Sequence, residues 1–237
     1  DRVKAIEDQL ILSRIEPFLT YLDAPLATES QLELVHTKEH IKNIQMFVHE
    51  NEYRVIDSDT KMNPHSYQAA LRSVGASITA VDKVMSGEVK NAFACTRPPG
   101  HHAIRERGMG YCIFSNMAVA IGVAKKTHGE KLRVAVVDWD VHHGNGTESI
   151  FLDDPNVLTI SLHQDRLYPH DTGDIDVVGV GTNINVPLPP GTGNGGYSYA
   201  FDEVVIPAIR KFKPDIICVA SGFDSAVYDP LGRMLVT

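Results

Sequence analysis

Residues 132–146, LRVAVVDWDVHHGNG, decide how the rest of the chain is read. The first half is an apolar run, Val134-Ala135-Val136-Val137. The second crowds Asp138, Asp140, His142 and His143 into six residues. A run that is apolar at successive positions fits a strand covered on both faces, as in parallel sheets flanked by helices. Four more such runs, 89–96, 157–162, 184–186 and 215–220, are spaced through the chain. Helical patterns separate them. Residues 1–16 place Val3, Ile6, Leu10 and Ile15 on one face, and Pro17 ends the helix. Residues 37–50 do the same with Ile41, Ile44 and Val48. Asn63-Pro64 reads as an N-cap followed by a first-turn proline. That helix runs through Ala69, Leu71, Ile78 and Val81 to Gly87. Ser115 caps a helix ending at Gly129, and residues 197–212 form another that stops before Pro214. Alternating strands and helices predict an α/β domain with a mostly parallel sheet. The Gly/Pro-rich stretch 187–196 reads as a surface loop near the site.

In open α/β sheets, ligands bind beyond the carboxyl ends of the strands. Four of the predicted strands run into reactive side chains there: His101 and His102 in RPPGHHA; Asp138, Asp140 and His142; Ser161 and His163 in TISLHQD; and Asp224 in CVASGFDS. In a parallel sheet these ends share one edge, so residues distant in sequence converge. Asp138, Asp140 and His142 sit at i, i+2 and i+4 and share a face if the chain stays extended. Carboxylates at the end of a buried strand are costly unless neutralised, and the stretch from Asp138 to Gly146 holds no Lys or Arg. A divalent cation would neutralise them. Two carboxylates and an imidazole match a catalytic zinc site with an open position. One strand cannot easily supply all three in tetrahedral geometry, so Asp224 is the expected third ligand. Asp138 is then free to orient a histidine or hold a monovalent ion. His101 and His102 beside such a site supply general acid and base.

The totals narrow the class. A chain of 237 residues suits one globular domain. A net charge of −8 argues against a direct nucleic-acid binder. No run is apolar and long enough to span a bilayer. Cys95, Cys112 and Cys218 read as reduced core thiols, so a cytoplasmic location is expected. His36 to His40, HTKEH, matches the H-x-x-E-H pattern of some metalloproteases. With no third ligand suitably spaced, it reads as a solvated helix end, as do His49, His65, His128 and His170.

Taken as an ordered set, RPPGHHA, GMGYCIFSN, DWDVHHGNGT, TISLHQ, NVPLPPGTGNGGY and SGFDSAVYDPLGRM resemble the zinc-dependent histone deacetylase and acetylpolyamine amidohydrolase superfamily, most of all its class II and bacterial members. The likeness covers most of the chain from about Asn63 onward. It implies an arginase-like three-layer α/β fold with a central, mainly parallel sheet, and zinc on Asp140, His142 and Asp224. It further implies His101 and His102 as the tandem active-site histidines, with Asp138 orienting the first and Asn145 partnering the second. A structural potassium ion is implied at Asp138, Asp140, His142, Ser161 and Leu162, with His142 and Leu162 contributing backbone carbonyls. Gly110 and Tyr111 fall where the family lines its acyl-lysine channel. Asp59 corresponds to a rim aspartate that grips substrate backbone, with a turn-forming role equally open.

The chain departs from the family pattern in two places. The family's Gly-Gly-Tyr motif, whose Tyr polarises the scissile carbonyl, follows the Asp224 region and is not within these 237 residues. Gly195-Gly196-Tyr197 precedes Asp224 and is a different element. The N-terminal His-Pro-Glu element is also absent, so a single catalytic domain truncated at both ends is expected. The implied activity is removal of acetyl groups from N-acetylated amines, acetyl-lysine first. His102 would act as base, and His101 would hold its proton more tightly. The alternatives are an acetylpolyamine amidohydrolase, which would use the same metal and histidines, and an acetyl-lysine binding module with a weak active site. A two-metal ureohydrolase of the same fold fits poorly, because HHGNG follows a single D-x-D-x-H. The oligomeric state is not legible in the sequence.

Overall fold

All five residues of Val134–Asp138 are buried in a strand. The computed structural model describes residues 2–46 and 53–237. Its helices are α1 (Arg2–Leu12), α2 (Glu29–Leu32), α3 (Lys38–Met46), α4 (Ser66–Met85), α5 (Asn116–His128), α6 (Asn145–Phe151), α7 (Asn194–Ala200) and α8 (Ile206–Phe212). Its strands are β1 (Arg54–Val55), β2 (Lys61–Met62), β3 (Val134–Asp138), β4 (Val157–Gln164), β5 (Asn183–Leu188) and β6 (Ile216–Ala220). Four of these make one parallel sheet in the order β5-β4-β3-β6. Strands β1 and β2 form a separate antiparallel pair.

β3 and β4 are buried along their whole length because helices cover both faces, whereas Ile217 and Val219 of the edge strand β6 are exposed. Val134 and Val136 pack with Ile216 and Cys218 beneath α4 and α5, through Val74, Ile78, Val119 and Ile121. Ala135 and Val137 point the other way and join Leu158, Ile160, Ala200 and Val205. This is the period-two alternation of a strand inside three layers. The register puts Asp138 level with Ser161 on β4 and Ala220 on β6, so three chain segments leave the sheet at one edge.

Helix α1 turns Val3, Ile6 and Leu10 to its less exposed side, as the spacing predicts, but Ile15 lies beyond its end. The helix expected over 37–50 appears as α3 with Ile41 and Ile44 buried; Val48 and His49 lie outside the described residues. Asn63 does not cap α4 directly. Its Oδ1 accepts from the His65 amide and the Ser66 hydroxyl one turn earlier, and the helix begins at Ser66. The 197–212 helix starts at Asn194 and passes through a π turn, Phe201–Val205, between α7 and α8. The cysteines are free; Cys112 and Cys218 are buried, and burial pushes both thiols up. Among the described residues no helix is long and apolar enough to cross a membrane.

Two expectations are overturned. Residues 89–96 form no strand, and Phe93 is 57% exposed. Composition suits the run to a sheet, but among the described residues no strand edge pairs with its backbone. The HTKEH segment is not a solvated helix end, since His36 and His40 are each only 3% exposed. The Ser115 amide donates to His36 Nε2 at 2.9 Å, so Nδ1 carries the hydrogen toward the Arg105 carbonyl at 3.3 Å. His40 Nε2 meets the Ile113 carbonyl at 2.9 Å, and both rings pack against Phe114. Inward-facing imidazoles are tolerated because distant backbone groups satisfy them. His65, His128 and His170 are exposed as expected.

These buried imidazoles make the fold acid-sensitive. Burial, reinforced by neighbouring His40, lowers His36 from 6.5 to about 4. The unfolded chain therefore binds a proton at His36 below about pH 6.5 that the folded chain refuses until about pH 4. Stability is intact above 6.5 and falls as pH drops through that window, by on the order of 3 kcal/mol. Denaturant melts at pH 7 and pH 4.5 should show this loss. His36→Gln, which keeps an acceptor for the Ser115 amide, should reduce it, leaving the part that the buried His40, His102 and His163 contribute. An unchanged pH slope in that variant would remove His36 as the cause.

Candidate active site

β3 stops at Asp138, and from there the chain turns its polar side chains onto one another. Asp138 is buried, with Oδ2 2.8 Å from His101 Nδ1 and Oδ1 accepting the Asp140 amide at 3.1 Å. Asp140 Oδ1 accepts the His142 amide and lies 2.9 Å from His142 Nδ1. The expected extended i, i+2, i+4 face is thus replaced by a turn that sends Asp138 inward and leaves Asp140 and His142 together. Asp224 arrives from the loop after β6. Its Oδ1 accepts the Val141 amide at 2.9 Å, and its Oδ2 is 3.0 Å from His142 Nδ1. One donor atom each from Asp140, His142 and Asp224 lies within 4.8 Å of the others. Gly222 permits the approach, because a Cβ there would fall 2.2 Å from Asp140 Oδ2.

The electrostatics suit a cation. Burial alone would lower His142, but its hydrogen bonds to Asp140 and Asp224 prevail and raise it to about 9. The two carboxylates thus hold positive charge at Nδ1, where a divalent metal is a denser substitute for a proton. Two hard oxygens and one imidazole are a donor set such an ion accepts.

The tandem histidines have opposite surroundings. Burial works against a charged His101, but Asp138 and then Asp140 outweigh it and raise the imidazole to about 9. His102 is lowered well below 6.5, first by burial and then by charge on His101. Its Nδ1 is 2.8 Å from Asn145 Oδ1, whose amide nitrogen reaches back toward the His102 carbonyl and Met109 Sδ. An amide oxygen only accepts, so Nδ1 carries the hydrogen and Nε2 keeps its lone pair. The rings adjoin, tilted 41° to one another with centroids 3.9 Å apart. Asn145 opens α6, a helix the paired glycines Gly144 and Gly146 concealed in the sequence.

Gly110 lies against this pair at φ +55, where a Cβ would fall 2.5 Å from His102 Cδ2 and 2.8 Å from Tyr168 Cε1. Gly110→Ala should combine left-handed strain with displacement of the His102 ring and lower turnover by roughly 10-fold or more. Steady-state kinetics beside bound-metal content would check this, and wild-type turnover would refute the contact. Tyr111 follows at φ +65, with about half its surface exposed. Asp59 is exposed, and its amide donates to Asp57 Oδ1. The carboxylate that reaches the Gly110 loop is Asp57, whose Oδ2 accepts the Gly110 amide at 3.2 Å. Ser161 is buried beside Asp138 in register, and its Oγ accepts the Gly144 amide at 3.3 Å; Leu162 is fully buried. Tyr197 lies near the site without entering it, its hydroxyl bound to Ser225 Oγ at 2.7 Å.

Tyr168 was missed in the sequence. Its ring stands at 89° to His102, centroids 5.1 Å apart, and 6.3 Å from His142, so it walls the site beside Gly110. The available signal was an aromatic residue before Pro169, just beyond a strand whose end was already read as reactive.

A family model for the histone deacetylase domain matches residues 1–237. The histone deacetylase-like amidohydrolase of Pseudomonas aeruginosa is 41% identical over 237 residues, covering 98% of this chain and 61% of that protein. The human polyamine deacetylase HDAC10 is 36% identical over 251 residues, covering 100% of this chain and 37% of that protein. The crystal structure of the HDA15 HD domain superposes with a TM-score of 0.95 at 39% identity, covering 100% of this chain and 70% of that one. The chain therefore spans less than two thirds of the length of the curated relatives it matches.

Proposed function

The chain belongs to the histone deacetylase family, and from that premise we propose that it hydrolyses the amide of N-acetylated amines, with acetyl-lysine in proteins or peptides as the first substrate class. The observation that carries this reading is the pairing of a three-donor cation site with two adjoining imidazoles of opposite basicity. Zinc is the proposed ion, held by Asp140, His142 and Asp224. Its contribution when bound is Lewis acidity toward the acyl carbonyl and the attacking water. His102 Nε2, bare and uncharged, accepts the proton from that water. His101, charged through Asp138, stabilises negative charge developing on the acyl oxygen and has a proton for the departing amine. Asn145 fixes the His102 tautomer. Gly110, Tyr111 and Tyr168 line the approach for a narrow acyl-amine chain, with Asp59 at its edge. Asp138, Asp140 and Ser161, with the backbone carbonyls of His142 and Leu162, are proposed to hold a potassium ion beneath the site.

An acetylated polyamine is the second substrate class, favoured by the similarity to a protein named a polyamine deacetylase. Acetate release by the full-length protein from an acetyl-lysine peptide and from an acetylated diamine, each with and without chelator, separates the readings. Faster release from the peptide, lost on chelation and restored by zinc, supports the first. Preference for the diamine supports the second. Release from neither, with zinc bound, overturns both in favour of a binding module.

A further inference from the structure

The turn that walls the site is held from outside by the β1–β2 hairpin. Gly110 and Tyr111 are consecutive residues with positive φ, +55 and +65. Tyr111 has a side chain, so it stays in that conformation only where its surroundings over-determine it. Both amides of the turn have an acceptor on one short segment. Asp57 Oδ2 takes the Gly110 amide at 3.2 Å, and Thr60 Oγ1 takes the Tyr111 amide at 2.9 Å. That segment is itself tied. Asp57 Oδ1 accepts the amides of Asp59 and Thr60 at 3.0 and 2.6 Å, and the Ile56 amide donates to the Thr60 carbonyl at 2.8 Å. Thr60 is 2% exposed, and the neighbouring Met62 sits in the core at 1%. The same hairpin carries Asp59, and Gly110 touches the rings of His102 and Tyr168.

We propose that Asp57 and Thr60 are positioning residues that clamp the Gly110–Tyr111 turn. On this proposal, the substrate entrance, the exposed Asp59 and the outer contact of His102 move as one body. The proposal rests on the deacetylase reading for its kinetic form, but the clamp has a readout of its own. The two hydrogen bonds act at different depths. Thr60 holds Tyr111, which faces the entrance, so its loss should weaken substrate capture. Asp57 holds Gly110, which lies against His102, so its loss should reach the chemical step.

The test uses the zinc-loaded, full-length protein with an acetyl-lysine peptide. Thr60→Val should raise KM by ~10-fold with kcat within about twofold, and Thr60→Ser should restore it. Asp57→Asn, which cannot offer acceptors to both Gly110 and the hairpin amides, should lower kcat by ~10-fold with zinc content unchanged. Amide hydrogen exchange should show Tyr111 losing protection in Thr60→Val and Gly110 losing it in Asp57→Asn. If wild-type protein deacetylates nothing, the functional reading fails, and the exchange result alone decides the clamp. Exposed amides with unchanged kinetics would overturn the positioning role. Loss of active sites with KM unchanged in both variants would also overturn it, because that is the mark of a merely structural contact.

Discussion

Asp224→Ala should lose its metal and its activity together, whereas Asp224→Asn should lose the metal while keeping most of its stability. The two variants separate two duties of one carboxylate. Oδ1 accepts the Val141 amide at 2.9 Å, and Oδ2 faces His142 Nδ1 at 3.0 Å. Alanine removes both and leaves a buried amide unpaired, costing about 1–3 kcal/mol of stability. Asparagine can still accept from Val141 but brings no charge to the cation site. A complete zinc site binds with roughly 10–16 kcal/mol, so one ligand accounts for on the order of 3–4 kcal/mol, or ~10²–10³-fold in affinity. Metal content by mass spectrometry, zinc titration and acetate release should all place both variants far below wild type. Thermal melts of the metal-free proteins should set only the alanine variant apart. Full zinc occupancy in Asp224→Asn would end the ligand assignment. Asp140→Ala should behave like Asp224→Ala toward metal, since Asp140 faces the same nitrogen at 2.9 Å and also accepts the His142 amide.

What the sequence made legible follows from how local the cause is. β3 is legible because helices bury both its faces, which leaves an uninterrupted apolar run; β4 is buried throughout as well, whereas β6 carries an apolar run although Ile217 and Val219 are exposed at the edge of the sheet. Convergence at one edge then follows from parallel direction alone, which is why Asp224 could be placed beside His142 across 82 positions of chain. The misreadings share the opposite property. Whether residues 89–96 pair depends on a neighbouring strand edge, which composition does not encode. The burial of His36 and His40 depends on backbone groups of Arg105, Ile113 and Ser115, 69 to 79 residues away. A polar helix start with inward-facing imidazoles looks, position by position, like one facing solvent. The β1–β2 hairpin is only two residues long on each side, too short for an alternating pattern to register. Asp59 comes from the family resemblance as a rim residue, and the contact of Asp57 with Gly110 is a separate matter: both are carboxylates in one tight turn, and only the fold shows which of them reaches Gly110.

The largest effect without loss of metal should come from His102. With His102→Ala the three donors are untouched, so zinc should remain, while kcat should fall by ~10²–10⁴-fold, the range of a lost general base. The sharper claim concerns pH. The base must be uncharged to work, and burial together with charge on His101 keeps it so well below 6.5. A cation nearby acts in the same direction, so the acid limb of kcat/KM should lie below pH 6.5, with full activity above it. Asn145 is what leaves this arrangement neutral on the Nδ1 side, at 2.8 Å. Asn145→Asp puts a carboxylate there, keeps the tautomer, and favours the imidazolium. The acid limb should then move to higher pH while zinc content and KM stay near wild type. His101→Ala should move it in the same direction, because removing a neighbouring positive charge and admitting water both raise His102, so direction alone does not separate these two variants. They differ in the plateau: His101→Ala loses the charge that stabilises the acyl oxygen and should fall at every pH, while Asn145→Asp should recover at high pH. An acid limb that stays in place in Asn145→Asp would mean that the titrating base is not His102.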